Sequence, residues 1–159
     1  MAAYSFTNRN VEASLTITPQ TLGLIRNPTG SVAGRLRHVS FTVDDPPSGT
    51  DVDINYDVTF WDGTTNGTGF SLPSFSKNDP SDAASVLVWR IAFASEPTVQ
   101  TALLSFVGNQ RQAVSWTAYN LDQSLVIPTT GGTANGIGLR SWSPSFSGRV
   151  CVSGIVDQI

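Results

Sequence analysis

Charge is scarce in this chain. Acidic and basic residues make up 13% of its 159 positions, about half the usual share for a soluble protein. Lysine is nearly missing: Lys77 stands alone beside eight arginines, Arg9, Arg26, Arg35, Arg37, Arg90, Arg111, Arg140 and Arg149. These are scattered, and the net charge is −3. Non-specific nucleic-acid binding needs clustered cations that neutralise phosphates, so a stand-alone DNA- or RNA-binding domain is not expected. One cysteine, Cys151, permits no internal disulfide. The fold therefore needs no oxidising compartment, and Cys151 reads as a small buried residue. One histidine, His38, leaves zinc catalysis without a ligand set. The apolar stretches around Ala83–Ala94 and Thr101–Val107 are interrupted and short of a membrane span. The opening residues lack a basic start and an apolar leader core. The expectation is a product kept in the cytosol, or released without a leader, with no membrane partner. Gly131-Gly132 lacks the Lys-Ser/Thr of a phosphate loop, and the formal glycosylation site Asn66-Gly67-Thr68 is expected to stay bare.

What is present is alternation. From Arg37 to Trp61, Val39, Phe41 and Val43 alternate with His38, Ser40 and Thr42. After Asp44-Asp45-Pro46-Pro47-Ser48-Gly49, Val52, Ile54, Tyr56, Val58 and Phe60 alternate with Asp51, Asp53, Asn55, Asp57 and Thr59. Successive side chains of a strand point to opposite faces, so this pattern buries one face and leaves the other polar. Six of the twelve acidic residues lie between Asp44 and Asp62, which makes the outer face anionic. Read as a hairpin with Val43 facing Val52, the pair sets His38 across from Asp57 and beside Ser40.

The remaining chain holds no repeat and no linker. Residues 1 to 10 are polar and read as a flexible arm, with a single β-sandwich domain over 11 to 159. Val11 to Thr18 alternates as a strand, and a short strand is expected around Leu22 to Ile25. Asp62 to Asp82, rich in Gly and Pro, reads as a long loop. Ser85 to Phe93 reads as a strand buried on both faces. Thr98 to Val107 is ambiguous, because Val99, Ala102, Leu103 and Phe106 have helical spacing after Glu96-Pro97. Ala113 to Tyr119, Ser124 to Ile127 and Arg149 to Val156 read as strands, and Gly131 to Gly136 as a loop. Seven to nine evenly spaced short strands predict an all-β fold, a two-sheet antiparallel sandwich, with a jelly roll preferred over an immunoglobulin-like arrangement.

Each chemical reading has a plain structural rival. His38, Ser40 and Asp57 invite a hydrolase, but a serine on a regular strand has no sharp turn and no paired amides for an oxyanion. No enzyme is expected. Asp51, Asp53, Asn55, Asp57 and Asp62 occupy positions 1, 3, 5, 7 and 12 of a calcium-loop window, yet Tyr56 stands where the loop's bend needs glycine. Asp51, Asp53 and Asp57 remain the metal candidates, for Ca2+ held between this face and another subunit; the rival is a solvated face that resists sticking. Among the tryptophans, Trp89 and Trp116 read as core. Trp61 and Trp142, at strand ends, read as contact residues for a subunit or a sugar ring. His38, Asp53 and Asp57 join them as contact candidates, with a neighbouring carboxylate favouring the protonated imidazole.

Two functions fit this inventory. The all-β layout, the closing stretch Gly148-Arg149-Val150-Cys151-Val152-Ser153-Gly154 and the early Val11-Glu12-Ala13-Ser14-Leu15-Thr16-Ile17 resemble coat proteins of small icosahedral RNA viruses, of the tymovirus type that lacks a basic arm. That resemblance implies a capsid subunit that assembles with itself, resides in the virion and the host cytoplasm, and has viral RNA as a partner. Most such coats carry an Arg- or Lys-rich N-terminus, and this one has only Arg9, so no RNA-binding residue carries over. The alternative is a cytosolic lectin resembling those of fungi, binding a glycan through Trp61, Trp142, Asp62 and Asn66.

Overall fold

The computed structural model describes residues 1–9, 13–28, 32–45, 49–61, 67–98, 101–127 and 136–159. Its strands are β1 (Ala2–Thr7), β2 (Ala13–Ser14), β3 (Gln20–Arg26), β4 (Gly34–Val43), β5 (Asp53–Trp61) and β6 (Ser76–Lys77). They continue as β7 (Val88–Arg90), β8 (Thr101–Asn109), β9 (Val114–Thr117), β10 (Leu125–Ile127), β11 (Gly136–Trp142) and β12 (Arg149–Gln158). A single 3-10 turn, Leu121–Gln123, precedes β10.

Two antiparallel sheets pack face to face. One runs β10-β4-β12-β1-β6, with β9 also on β4 and β2 on β12; the other runs β7-β3-β11-β5-β8. Because β9 and β10 pair with different stretches of β4, they act as one strand. The long strands then pair first with last and inward: β1 with β12, β3 with β11, β4 with β9 and β10, and β5 with β8. That nested order is the connectivity of a jelly roll, and the expected all-β sandwich is what forms.

The same order removes the expected hairpin. In this topology consecutive strands cross between sheets, so β4 and β5 face each other through the core instead of lying side by side. Phe41 and Tyr56 stack across the gap with ring centroids 4.9 Å apart. The alternation was read correctly, for Val39 and Phe41 on β4 and Ile54, Tyr56 and Val58 on β5 are all buried. Only the partner was wrong: inward side chains say which face is covered, not which strand lies beside it.

Residues 2–7 are not a free arm. Tyr4 and Phe6 alternate inward and are buried, and the backbone of β1 pairs with both β12 and β6. Trp89 Nε1 donates to the Thr7 carbonyl at 3.1 Å, Tyr4 Oη donates to Ala83 O at 2.8 Å, and Phe6 lies against Trp89 at 4.7 Å. Each bond satisfies a polar group on a buried ring. Gly23 makes room for Trp89, since a Cβ there would meet its ring at 1.8 Å.

The ambiguous segment is a strand, β8, with Leu104 and Phe106 facing the core. Val58 pairs with Leu104 and Thr59 with Ala102, so Leu103 is an extra residue in the ladder. Such a bulge shifts the alternation by one, which is why the spacing resembled a helix. The calls on Val11, Glu12, Val99 and residues 131–135 lie outside the described residues. Trp116 is half-buried against the core, and Cys151 is half-buried with Thr7 Oγ1 at 3.6 Å from its sulfur.

Candidate functional site: the outer face of the five-stranded sheet

Pairing fixes which side chains share the outer face of β7-β3-β11-β5-β8, because directly opposed residues project to the same side. One row across this face is Arg26, Gly136 and Trp61; the next is Arg90, Leu24, Gly138 and Thr59. A third is Thr21, Arg140, Asp57 and Ser105, and the last is Trp142, Asn55 and Val107. The face thus runs from a covered end rich in Arg and Trp to an open end where Trp142 and Val107 flank Asn55.

At the covered end, Trp61, Leu24 and Thr59 are buried, and Arg26 is only 6% exposed. The Arg26 guanidinium carbon sits 5.6 Å from the Trp61 ring centroid, and that of Arg90 sits 4.1 Å from the Phe70 ring. Burial lowers the pKa of both, and the neighbouring Arg90 charge lowers that of Arg26 further. Burial also lowers that of Arg140, while Glu96 and Asp57 raise it in part. Glu96 Oε2 accepts from the Thr21 amide at 2.9 Å, and Thr59 Oγ1 donates to Gly138 O at 3.1 Å.

At the open end, Trp142 is half-buried and Val107 is 65% exposed. Asp57 accepts from Ser105 Oγ at 2.7 Å. Ser141 and Ser143 donate to the Asn55 and Asp53 carbonyls at 3.0 and 2.8 Å, clamping β11 to β5 beneath this surface. Val107 and the bulged Leu103, 41% exposed, stand on β8 at the margin of the sheet.

The sequence-derived candidates divide accordingly. Trp142, Asp53 and Asp57 come together on this face. Trp61 shares it but is sealed under cover, so it is no exposed contact residue; the strand end that suggested exposure is instead packed under Arg26. His38 is elsewhere, half-buried in the opposite sheet between Thr117 and Ile155, with Nδ1 2.7 Å from Thr117 Oγ1. The His38-Ser40-Asp57 arrangement therefore does not exist, since His38 and Asp57 belong to different sheets. Asp51 pairs with Arg111, Asp57 with Ser105, and Asp53 is exposed opposite Asn109. Among the described residues no cluster of three or more His, Cys, Asp or Glu is placed to hold a metal ion. Asp62 and Asn66 lie outside the described residues.

Arg26, Arg90 and Arg140 went unnoticed as a group. The available signal was an arginine inside each of three strong apolar runs, Leu24-Ile25-Arg26, Val88-Trp89-Arg90 and Gly138-Leu139-Arg140. Compared with known proteins, the chain matches no protein-family model, no curated protein and no solved structure.

Proposed function

We propose that this chain is a structural subunit that assembles with copies of itself into a closed shell, as a viral coat protein does. The observation that carries the reading is β8. It spans nine residues, Thr-Ala-Leu-Leu-Ser-Phe-Val-Gly-Asn, with no charge and no proline. Among the described residues it pairs only with β5, so its other side presents unpaired backbone groups. Monomeric proteins blunt such an edge with lysine, proline, brevity or a bulge; β8 has only the bulge at Leu103, and the rest of its edge is a template for another chain. Val107 adds an exposed apolar side chain to this edge in the row of Trp142, Leu103 adds another farther along β8, and tryptophan is enriched at contact centres. The low charge of the whole chain points the same way.

In this reading the molecule belongs to the virion and the host cytoplasm, and viral RNA is the content of the shell. The N-terminal strand cannot serve as an RNA-binding tail, because it is used in the sheet. The glycan-binding alternative placed Trp61, Trp142, Asp62 and Asn66 together; Trp61 is buried and stands at the opposite end of the sheet face from Trp142, and Asp62 and Asn66 lie outside the described residues. Size-exclusion chromatography with electron microscopy of the purified chain tests the proposal. Shells or large concentration-dependent oligomers are expected, and a monomer at every concentration and pH sinks it.

A further inference from the structure

Among the described residues, three of the eight arginines make ion pairs: Arg37 with Asp157, Arg111 with Asp51 and Arg149 with Asp45. Arg26, Arg90 and Arg140 make none among the described residues, although they are among the most desolvated cations of the chain. Arg26 Nε, Arg90 Nε and Nη1, and Arg140 Nε are buried with no hydrogen-bond partner. A buried charge without a counter-charge is costly, and proteins resolve the cost with a paired anion. Arg140 has Asp57 and Glu96 for partial compensation. Among the described residues, Arg26 and Arg90 have only aromatic rings, and a cation over a ring recovers a fraction of what an ion pair would supply.

The two are diagonal neighbours on one face, since Arg26 pairs with Val88 and Arg90 with Leu24. Long side chains at such positions reach the same space. Two like charges held on diagonal positions of one face, one of them buried and the other half-buried, form a receptor for one doubly charged anion.

The geometry points to a phosphate-binding site on the outer face of the five-stranded sheet, in which Arg26 and Arg90 share a tetrahedral phosphoryl group. Guanidinium forks match such oxyanions through paired N–H donors, which suits arginine here better than lysine. The inference stands independently of self-assembly, since a monomer and a shell subunit present the same pair.

The test is titration of the full chain with inorganic phosphate against chloride at equal ionic strength, read by calorimetry and thermal unfolding. A saturable rise in melting temperature with phosphate is expected, as for any ligand bound only by the folded state. Arg90→Gln, on the less buried of the two, should weaken phosphate binding about tenfold or more, while Lys77→Gln on the surface should leave it unchanged. Adenosine monophosphate separates the sources: tighter binding than phosphate assigns a phosphate ester, equal or weaker binding assigns the free anion, and both keep the site. No phosphate effect beyond chloride, or an equal effect in Arg90→Gln, overturns the proposal. Should Arg90→Gln fail to fold, the arginine Nε–Hε resonances of the wild-type chain decide. Those of Arg26 and Arg90 must move with phosphate while that of Arg111 stays, and unmoved signals reject the site.

Discussion

The two faces of the five-stranded sheet are made by the same strands and do opposite things. The inner face is mainly apolar: Leu22, Ile25, Ile54, Tyr56, Val58, Ile137 and Leu139 are all buried in one cluster with the opposing sheet, and the polar Ser141 beside Tyr56 spends its hydroxyl on the Asn55 carbonyl. The outer face buries Arg26, Thr59 and Trp61 at one end, exposes Val107 at the other, and exposes Leu103 on the edge strand. An apolar interior needs only shape and area, so its stabilisation scales with what is removed from water. A face that spends polar and aromatic groups under partial cover, then leaves apolar ones in water, is arranged for something outside the fold. In the proposed reading, stability belongs to the first face and recognition to the second.

Substitutions that separate these roles break or sharpen the contrast. The largest effect is expected inside: Ile137→Ala, at a fully buried position in the central β11, should cost about 2–5 kcal/mol. Urea unfolding checks this, and a loss no greater than a surface substitution would refute the assignment of stability to this face. On the outer face, Trp142→Ala should weaken association by about 2 kcal/mol, read as a shift in the concentration dependence of oligomer size. Its urea midpoint should move far less than that of Ile137→Ala.

The smallest effect concerns the other sheet. Asp157 on β12 is buried, 3.4 Å from Arg37 Nε, with no hydrogen bond to either carboxyl oxygen. Burial raises its pKa, and Arg37 offsets this only in part. A carboxyl raised on folding binds its proton more tightly in the folded state. Its contribution to stability is therefore full at low pH and is lost as pH rises from about 4, the unperturbed value, through the folded value. Asp157→Asn should remove that loss, so its melting temperature should exceed the wild type's increasingly from acid to neutral pH. A constant difference would mean that the carboxyl does not titrate within this range. The surface carboxylates Asp45 and Asp51, lowered chiefly by hydrogen bonds from Arg149 and Arg111, act in the opposite sense, with support present above the unperturbed value and fading as pH falls through the lowered one.

Inward alternation made β4, β5, β9, β10 and β12 readable before any coordinates, and with them the sandwich. Two long strands escaped. In β1 only Tyr4 and Phe6 carry the inward pattern, too short a signal beside the polar residues around them. In β11, Gly136 and Gly138 occupy outward positions, and glycine in sequence reads as loop although here it permits close approach, since a Cβ on Gly136 would run into the Ile25 carbonyl. The hairpin error has a different source. Neighbouring strands usually pair, but in a jelly roll they cross, and nothing local in Asp44 to Asp51 distinguishes a turn from a crossing. The candidate site was half legible for the same reason. Trp142, Asp53 and Asp57 lie on strands that pair in the structure, so they meet. Arg26, Arg90 and Arg140 come together only through the order β7-β3-β11, which sequence separation conceals.

Association through β8 is most directly tested by sedimentation velocity of the wild-type chain and Val107→Asp over a range of concentrations. The substitution places a charge on an exposed edge strand, where it should change monomer stability by no more than about 0.5 kcal/mol. The account predicts concentration-dependent large species for the wild type and a folded monomer for Val107→Asp. Identical sedimentation of the two, whether both assembled or both monomeric, would contradict it.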